Sequence, residues 1–196
     1  MKLILAKPGA FEYEEKRSRF LAYCASAENE DAAKRVIAEI RAAHPKANHN
    51  VFAYSVEEIP QAGGCAGKIT RASDDGEPHG TAAHPVLNVF DKAGVVDFVC
   101  VVTRYFGGTL LGAGGLVRAY TRAAKGAMEN AAPTELIIYK NFSIVCPYSN
   151  LDKIKYSFEK LGIEISKISY TEVCTISVRV KEALVPEFMQ IHEAHF

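Results

Sequence analysis

The amino-acid sequence predicts a two-domain α+β protein of 196 residues. Residues 95–106 form a nearly continuous apolar run between two helical patterns, as expected for a strand that is covered on both faces. After Pro133 the pattern changes to strand, helix, two alternating strands and a terminal helix. We therefore predict a first domain of residues 1–133 and a second domain of residues 134–196. The second is a ferredoxin-like βαββα unit without its last strand, and the sequence leaves open whether that absence is natural or a truncation.

Periodicity, capping residues and turn residues predict the other elements of the first domain. The helices are expected to end at Pro45, Gly94 and before Pro133, since proline and glycine interrupt helices. In chain order we predict two extended stretches in residues 11–25 joined by the basic turn KRSR, a helix capped by Asn29, a strand in 49–56, a long loop in 57–80, a helix entered near Pro85, and a helix from about Gly115 to Asn130.

Composition limits the classes of function. The chain has 23 basic and 23 acidic residues, so its net charge of +0 argues against broad electrostatic binding to nucleic acid or membrane and leaves room for a local basic face. The start, MKLILAKPG, has too short an apolar run for a signal peptide or a membrane span. Five scattered cysteines without a CxxC pair favour a reducing cytoplasm over a disulfide framework or a zinc site.

A dense group of glycines lies in RYFGGTLLGAGGLVRAY, residues 104–120. A glycine loop between a strand and a helix can present backbone N–H groups and the helix N-terminus to an anion. The ending GGLV is not the GK[ST] of a Walker loop, and Val117 stands where the dinucleotide signature has its third glycine. The sequence therefore disfavours a nucleotide-hydrolysing or NAD-dependent enzyme. The candidate binding glycines are Gly107, Gly108, Gly112, Gly114 and Gly115.

Basic residues accompany these glycines. Arg118, Arg122 and Lys125 fall at i, i+4 and i+7 and share one face of the predicted helix. Arg104 comes just before the loop. We predict that Arg104, Arg118 and Arg122 bind phosphodiester or carboxylate groups. Tyr105, Phe106 and Tyr120 are available for stacking. The alternative is that the arginines are a solvated helix face and that the glycines only permit close packing.

A second polar group lies in SDDGEPHGTAAHP, residues 73–85. Three interpretations stay open. Its carboxylates and histidines can form a site for Mg²⁺ or Mn²⁺, its short acidic side chains can cap neighbouring N–H groups in turns, or the acids can pair with the arginines of the glycine loop. Turn formation needs the fewest assumptions, so no metal and no cofactor are predicted. The candidate residues of this acidic loop are Asp74, Asp75, Glu77 and Thr81.

Four segments of the sequence carry distinctive motifs, namely KRSRF (16–20), HNVFAY (49–54), SDDGEPHGTAAHP (73–85) and VVTRYFGGTLLGAGGLVRAY (101–120). Together they resemble the YigZ/IMPACT family. The glycine segment of that family is intact here, whereas Ala83 and His84 replace a glycine and a basic residue that the family has after GTA. Val51 stands where the family often has cysteine.

The resemblance implies an N-terminal IMPACT-type domain with a left-handed βαβ arrangement, similar to domain IV of elongation factor G. It implies that the second domain is similar to domain V of that factor. Eukaryotic relatives regulate translation by competing for the activator of the general amino-acid-control kinase. We therefore expect a cytoplasmic, non-enzymatic regulator of translation that binds RNA, the ribosome or a translation-associated protein. No membrane contact and no DNA specificity are expected. The alternatives are a metal-dependent enzyme acting on a phosphorylated substrate and a pure protein-interaction module.

Overall fold

A computed structural model describes residues 2–58 and 67–195 of the chain. The chain divides into two compact α+β units between Leu136 and Ile137. The two-domain α+β architecture predicted from the sequence is therefore the one observed. Within the described ranges, no helix is both long enough and apolar enough to cross a lipid bilayer.

The first unit is built on an antiparallel five-stranded sheet with strand order β2-β3-β6-β4-β5. Two short strands, β1 and β7, form a separate antiparallel pair. In chain order the elements are β1 (Leu3–Leu5), β2 (Gly9–Glu15), β3 (Ser18–Ser26), α1 (Glu30–Ala43), β4 (His49–Glu58), β5 (Gly67–Ser73), α2 (Ala83–Ala93), β6 (Phe98–Tyr105), α3 (Gly112–Asn130) and β7 (Pro133–Glu135).

The central strand β6 is buried on both faces, which explains its continuous apolar sequence. Phe98, Cys100 and Val102 join the core that packs against α2 and α3. Val99 and Val101 point to the opposite face and join the core beneath α1. Because successive side chains of a strand alternate between faces, α1 lies on one side of the sheet and α2 and α3 lie on the other.

Local signals placed α1 and the first hairpin correctly. The side chain of Asn29 accepts a hydrogen bond from the Ala32 N–H at 2.9 Å and so caps α1, as the sequence predicts. Lys16 and Arg17 form the turn between β2 and β3, and both have positive φ angles, as a two-residue hairpin turn requires.

The prediction of one long loop over residues 57–80 is wrong in part. Residues Gly67–Ser73 form β5, which pairs with β4 at the edge of the sheet. None of its side chains is fully buried, so its sequence carries little of the alternation that marks a half-buried strand. Residues 59–66 of the predicted loop lie outside the described residues.

Four cysteines are free thiols in the interior. Cys24 and Cys100 lie opposite each other on β3 and β6. Burial raises the pKa of the Cys24 thiol to about 12 and that of Cys100 well above its usual value. Both therefore stay protonated and act as small apolar core residues. The fifth cysteine, Cys65, lies outside the described residues.

The second unit has its own sheet and core. Its three strands are antiparallel in the order β8-β10-β9. Ile154 and Phe158 of the first helix and Phe188 of the second pack against the buried side chains of this sheet. The order βαββα is the one that the sequence predicts. The elements are β8 (Tyr139–Cys146), α4 (Leu151–Leu161), β9 (Glu164–Tyr170), β10 (Cys174–Lys181) and α5 (Val185–His195).

Candidate functional site

The glycine segment joins β6 to α3, and its loop is shorter than predicted. The helix begins at Gly112, so Gly112, Gly114 and Gly115 lie in its first turn and not before it. The sequence predicts a start at about Gly115, three residues later, because glycine is a weak helix former. Gly108 and Gly112 have φ angles of +82° and +69°, a conformation that favours glycine.

Gly107 permits close packing between this loop and the β2–β3 turn. A Cβ atom at this position would overlap the carbonyl group of Arg17. The Gly107 N–H donates to Ser18 Oγ at 3.1 Å, and the Phe106 N–H donates to Asn48 Oδ1 at 2.8 Å. The first two amides of the loop are therefore used inside the protein.

The start of α3, in contrast, faces solvent. Leu111 is its N-cap residue and makes no side-chain capping hydrogen bond. Gly112, Ala113 and Gly114 are exposed. The first amides of an α-helix have no acceptor within the helix and carry a partial positive charge, so this end of α3 can bind an anion.

A cationic surface lies beside this helix start, where the β2–β3 turn approaches it. A cavity of about 300 Å³ opens between the two. Arg17 Nη2 donates to Thr109 Oγ1 at 3.4 Å, and a Cβ atom on Gly114 would lie 3.7 Å from Arg118 Nη1. Both guanidinium groups are therefore near the loop or the first turn of α3. We define the cationic surface as Lys16, Arg17, Arg118 and Arg122.

The four cations of this surface form no ion pair with the described residues. None of them lies within 4.0 Å of a carboxylate oxygen in the described part of the chain. Arg122 instead packs on the ring of Tyr13, with 4.6 Å from its guanidinium carbon to the ring centroid. Glu15 also lines the cavity and keeps its negative charge while it accepts a hydrogen bond from the Tyr13 hydroxyl. Four cations and this one carboxylate leave the surface with a net positive charge, which attracts anions.

Arg104 does not join this surface. Its side chain is on the same face of β6 as Cys100 and Val102 and so points beneath α3, where Arg104 is 5% exposed. Its Nη1 donates to Glu77 Oε1 at 2.6 Å, and the Tyr120 hydroxyl donates to the same oxygen at 2.7 Å. Burial and this hydrogen bond raise the pKa of Tyr120, which keeps its proton and remains a donor. The predicted pairing of acidic loop and arginine therefore occurs at Glu77 and Arg104.

A second cavity of about 430 Å³ opens above this buried ion pair, and we call it the apolar-walled cavity. Glu77, Arg104 and His49 contribute to its polar floor. His49 is held by a 2.9 Å contact from Nδ1 to the Asp75 carbonyl oxygen, and its Nε2 lies 3.9 Å from Glu77 Oε1. The walls are formed by Pro78, Phe106, Leu110, Leu111 and Leu116.

Asp74 caps helix α2. Its carboxylate accepts hydrogen bonds from the N–H groups of Gly80, Ala82 and Ala83 at 2.8, 3.2 and 2.8 Å. Burial acts to raise the pKa of this carboxyl, but the three donors outweigh burial and lower it. Because α2 has alanine at its own N-cap, the acidic loop supplies the acceptor that the helix lacks.

The remaining candidates of the acidic loop also have internal partners. Asp75 accepts from the Asn50 N–H at 2.7 Å and from Arg41 Nη2 at 2.8 Å. Thr81 Oγ1 donates to the Pro78 carbonyl oxygen at 2.6 Å. Residues 2–58 and 67–195 contain no group of three or more His, Cys, Asp or Glu side chains placed to hold a metal ion. These contacts support the interpretation that the acids shape the loop.

Replacing Asp74 by alanine is expected to lower the free energy of unfolding by about 1–2 kcal/mol at neutral pH, because three N–H groups lose their acceptor. The pKa of Asp74 is lower in the folded protein than the ordinary 3.8. The ionised carboxylate therefore stabilises the fold fully above pH 3.8, and this stabilisation is lost as the pH falls through the folded-state pKa. The difference between wild type and variant should therefore shrink as the pH falls below 3.8. Urea denaturation at neutral pH and at acid pH, with Asp74→Asn as the variant that keeps one acceptor, tests this; equal stability at neutral pH would contradict it.

Sequence reasoning missed two cations and one buried partner. Lys16 and Arg17 were recognised only as a turn, although their positive charge was a visible signal. Tyr120 was regarded as a stacking residue, whereas it is fully buried and donates to Glu77. No local pattern indicated that pairing, because the two residues are separated by 43 positions.

The fold and these cavities define a two-domain α+β protein with a basic surface at the start of its longest described helix. The Impact N-terminal domain model matches residues 16–128, and a domain of unknown function, DUF1949, matches residues 144–190. The chain belongs to the IMPACT family, as its sequence segments predict.

Individual relatives agree with this assignment. IMPACT family member YigZ of Escherichia coli is 34% identical over 189 residues, covering 95% of this chain and 89% of that protein. IMPACT family member YvyE of Bacillus subtilis is 33% identical over 174 residues, covering 89% of this chain and 77% of that protein. A crystal structure of a hypothetical protein is 32% identical, with a TM-score of 0.64 and coverage of 95% and 88% of the two chains. The similarity thus extends over both units.

Proposed function

We propose that this protein is a non-enzymatic, cytoplasmic regulator of translation whose cationic surface binds the phosphate groups of RNA. The observation that carries the proposal is a group of four cations beside the open N-terminus of α3, none of which forms an ion pair with residues 2–58 or 67–195. The link to translation comes from the family resemblance, and the choice of RNA comes from the charge and shape of the surface.

The surface has the groups that phosphate binding requires. Arginine guanidinium groups donate paired hydrogen bonds to phosphate oxygens, and the first amides of a helix bind the same kind of anion. Arg118 and Arg122 are one helical turn apart, so they can contact successive charges along a chain. The net charge of +0 means that binding depends on this local group and not on the whole molecule.

The contacts of the acidic loop favour a binding protein over a metal-dependent enzyme. Asp74 and Asp75 use their oxygens to hold backbone N–H groups and Arg41, and Glu77 neutralises the buried Arg104. Carboxylates engaged in this way shape the loop beside the glycine segment. This arrangement gives the acids a structural role in presenting the surface.

Charge reversal of the surface is expected to weaken RNA binding. We expect Arg118→Glu/Arg122→Glu to lower the affinity for single-stranded RNA about 100-fold, from about 1.5 kcal/mol for each lost charge-assisted contact. The slope of log affinity against log salt should fall by about 1.4, or about 0.7 for each contact with a single strand. Fluorescence anisotropy with a labelled RNA over a salt series measures both quantities.

The matched control is Lys153→Glu/Lys160→Glu, which makes the same charge change at two exposed positions of α4 in the second unit. Its RNA affinity should stay close to that of wild type. Equal losses in the two double variants, or no loss in either, would contradict the proposal. If wild type binds no RNA but retains a partner after nuclease treatment, the protein-interaction module is the better interpretation.

A further inference from the structure

The apolar-walled cavity lies directly beside the cationic surface. Leu111 lines both cavities, and the first turn of α3 separates them, with Gly112 on one side and Gly115 on the other. A ligand that crosses Leu111 therefore passes from a cationic region to an apolar one. The volume of the apolar-walled cavity, about 430 Å³, is within the range of small-ligand sites.

The floor of this cavity is polar but neutral as a whole. Glu77 Oε1 already accepts from Arg104 and Tyr120, whereas its Oε2 accepts no hydrogen bond from the described residues. The guanidinium of Arg104 lies beside this carboxylate and offsets its charge. An ammonium group in the cavity would be repelled by Arg104, and a carboxylate would be repelled by Glu77. The floor therefore favours an uncharged group that offers a hydrogen-bond donor.

The walls favour a flat apolar body. Phe106 and Leu110 remain 44% and 83% exposed at the rim, although both are large and apolar. A nucleobase has the required properties, since it is neutral and planar, has a π-face and carries donors and acceptors on its edge. An apolar side chain of a peptide would fill the same walls but would leave the free oxygen of Glu77 without a donor.

We infer that the apolar-walled cavity receives one unstacked base of a single-stranded RNA whose neighbouring phosphates lie on the cationic surface. This inference rests on the proposed function and specifies its ligand as single-stranded. Each nucleotide of an RNA carries a charged phosphate next to an apolar base. The cationic surface and the apolar-walled cavity are likewise next to each other, on either side of Leu111. The base contacts Phe106 and Leu110 and directs its polar edge at Glu77.

The test compares single-stranded with fully double-stranded RNA, whose paired bases cannot enter the cavity. Base stacking on an aromatic side chain is worth roughly 5- to 150-fold in affinity, so Phe106→Ala should weaken single-stranded binding by that factor. Its affinity for double-stranded RNA and its salt slope should not change, because the phosphate contacts remain. Leu110→Ala is a second variant that cannot disturb folding through lost burial, since Leu110 is 83% exposed.

Tyr156→Ala is the matched control, because Tyr156 is an aromatic residue that is 69% exposed on α4 of the second unit. Wild-type affinity for single-stranded RNA in both Phe106→Ala and Leu110→Ala would overturn the base site. If Arg118→Glu/Arg122→Glu still weakens RNA binding when those two variants do not, the proposed function stands and only the base site is overturned. Equal losses for single-stranded and double-stranded RNA would also overturn the base site. A wild-type protein that binds no RNA would overturn both proposals.

Discussion

Replacing Glu77 by alanine is expected to lower the free energy of unfolding by about 3–5 kcal/mol. The change leaves the Arg104 guanidinium buried without its carboxylate partner, and it also removes the acceptor of the Tyr120 hydroxyl. A charge that is nearly excluded from water and has no counter-ion is among the most destabilising features of a folded protein. Arg104 Nε already has no hydrogen-bond partner among the described residues, so few other contacts can offset the loss of Glu77.

Urea denaturation of three variants distinguishes the cost of an unpaired buried arginine from the cost of removing an acidic side chain in general. Glu12→Ala removes the exposed partner of Arg19 and should cost no more than about 1 kcal/mol. The double variant Glu77→Ala/Arg104→Met removes the stranded charge as well and should recover part of the stability. A loss below about 1 kcal/mol in Glu77→Ala, similar to that in Glu12→Ala, would show that the buried pair does not stabilise the fold.

The Gly107→Ala variant is expected to lose about 1–3 kcal/mol of stability. Its methyl group would overlap the backbone of Arg17, which cannot move aside as a flexible side chain can. The β2–β3 turn must therefore shift away from the loop. Because that turn carries Lys16 and Arg17, we also expect weaker RNA binding.

Gly114→Ala is the matched control for this prediction. The nearest atom to an added Cβ there is Arg118 Nη1 at 3.7 Å, which is an ordinary contact distance. Alanine also favours the helix, so stability should be unchanged or higher by up to about 1 kcal/mol. Thermal unfolding of both variants measures the contrast. If Gly107→Ala is as stable as Gly114→Ala, the close approach of loop and turn does not constrain this position.

The buried ion pair also explains how the candidate site is held together. Arg104 comes from β6, Glu77 from the acidic loop and Tyr120 from α3, so one carboxylate oxygen connects three segments. This connection holds the N-terminal half of α3 against the sheet, and that half carries Arg118. The acidic loop therefore helps to position the helix that contributes to the cationic surface.

The sequence by itself determined the two-domain α+β architecture, the strand β6, the cap of α1 at Asn29 and membership of the IMPACT family. Each of these depends on a local signal, namely apolar periodicity, a capping residue or a contiguous motif. Such signals report how residues are arranged along their own element. The edge strand β5 was missed because its side chains are only partly buried and leave a weak signal.

Only the tertiary structure decided which polar residues meet. It placed Arg104 with Glu77 beneath α3 and brought Lys16 and Arg17 to Arg118 and Arg122. The physical reason is that these contacts join segments far apart in the chain. Which segments meet depends on how helices and sheet bury their apolar faces together, and periodicity within one segment carries no information about the residue that it will face in another.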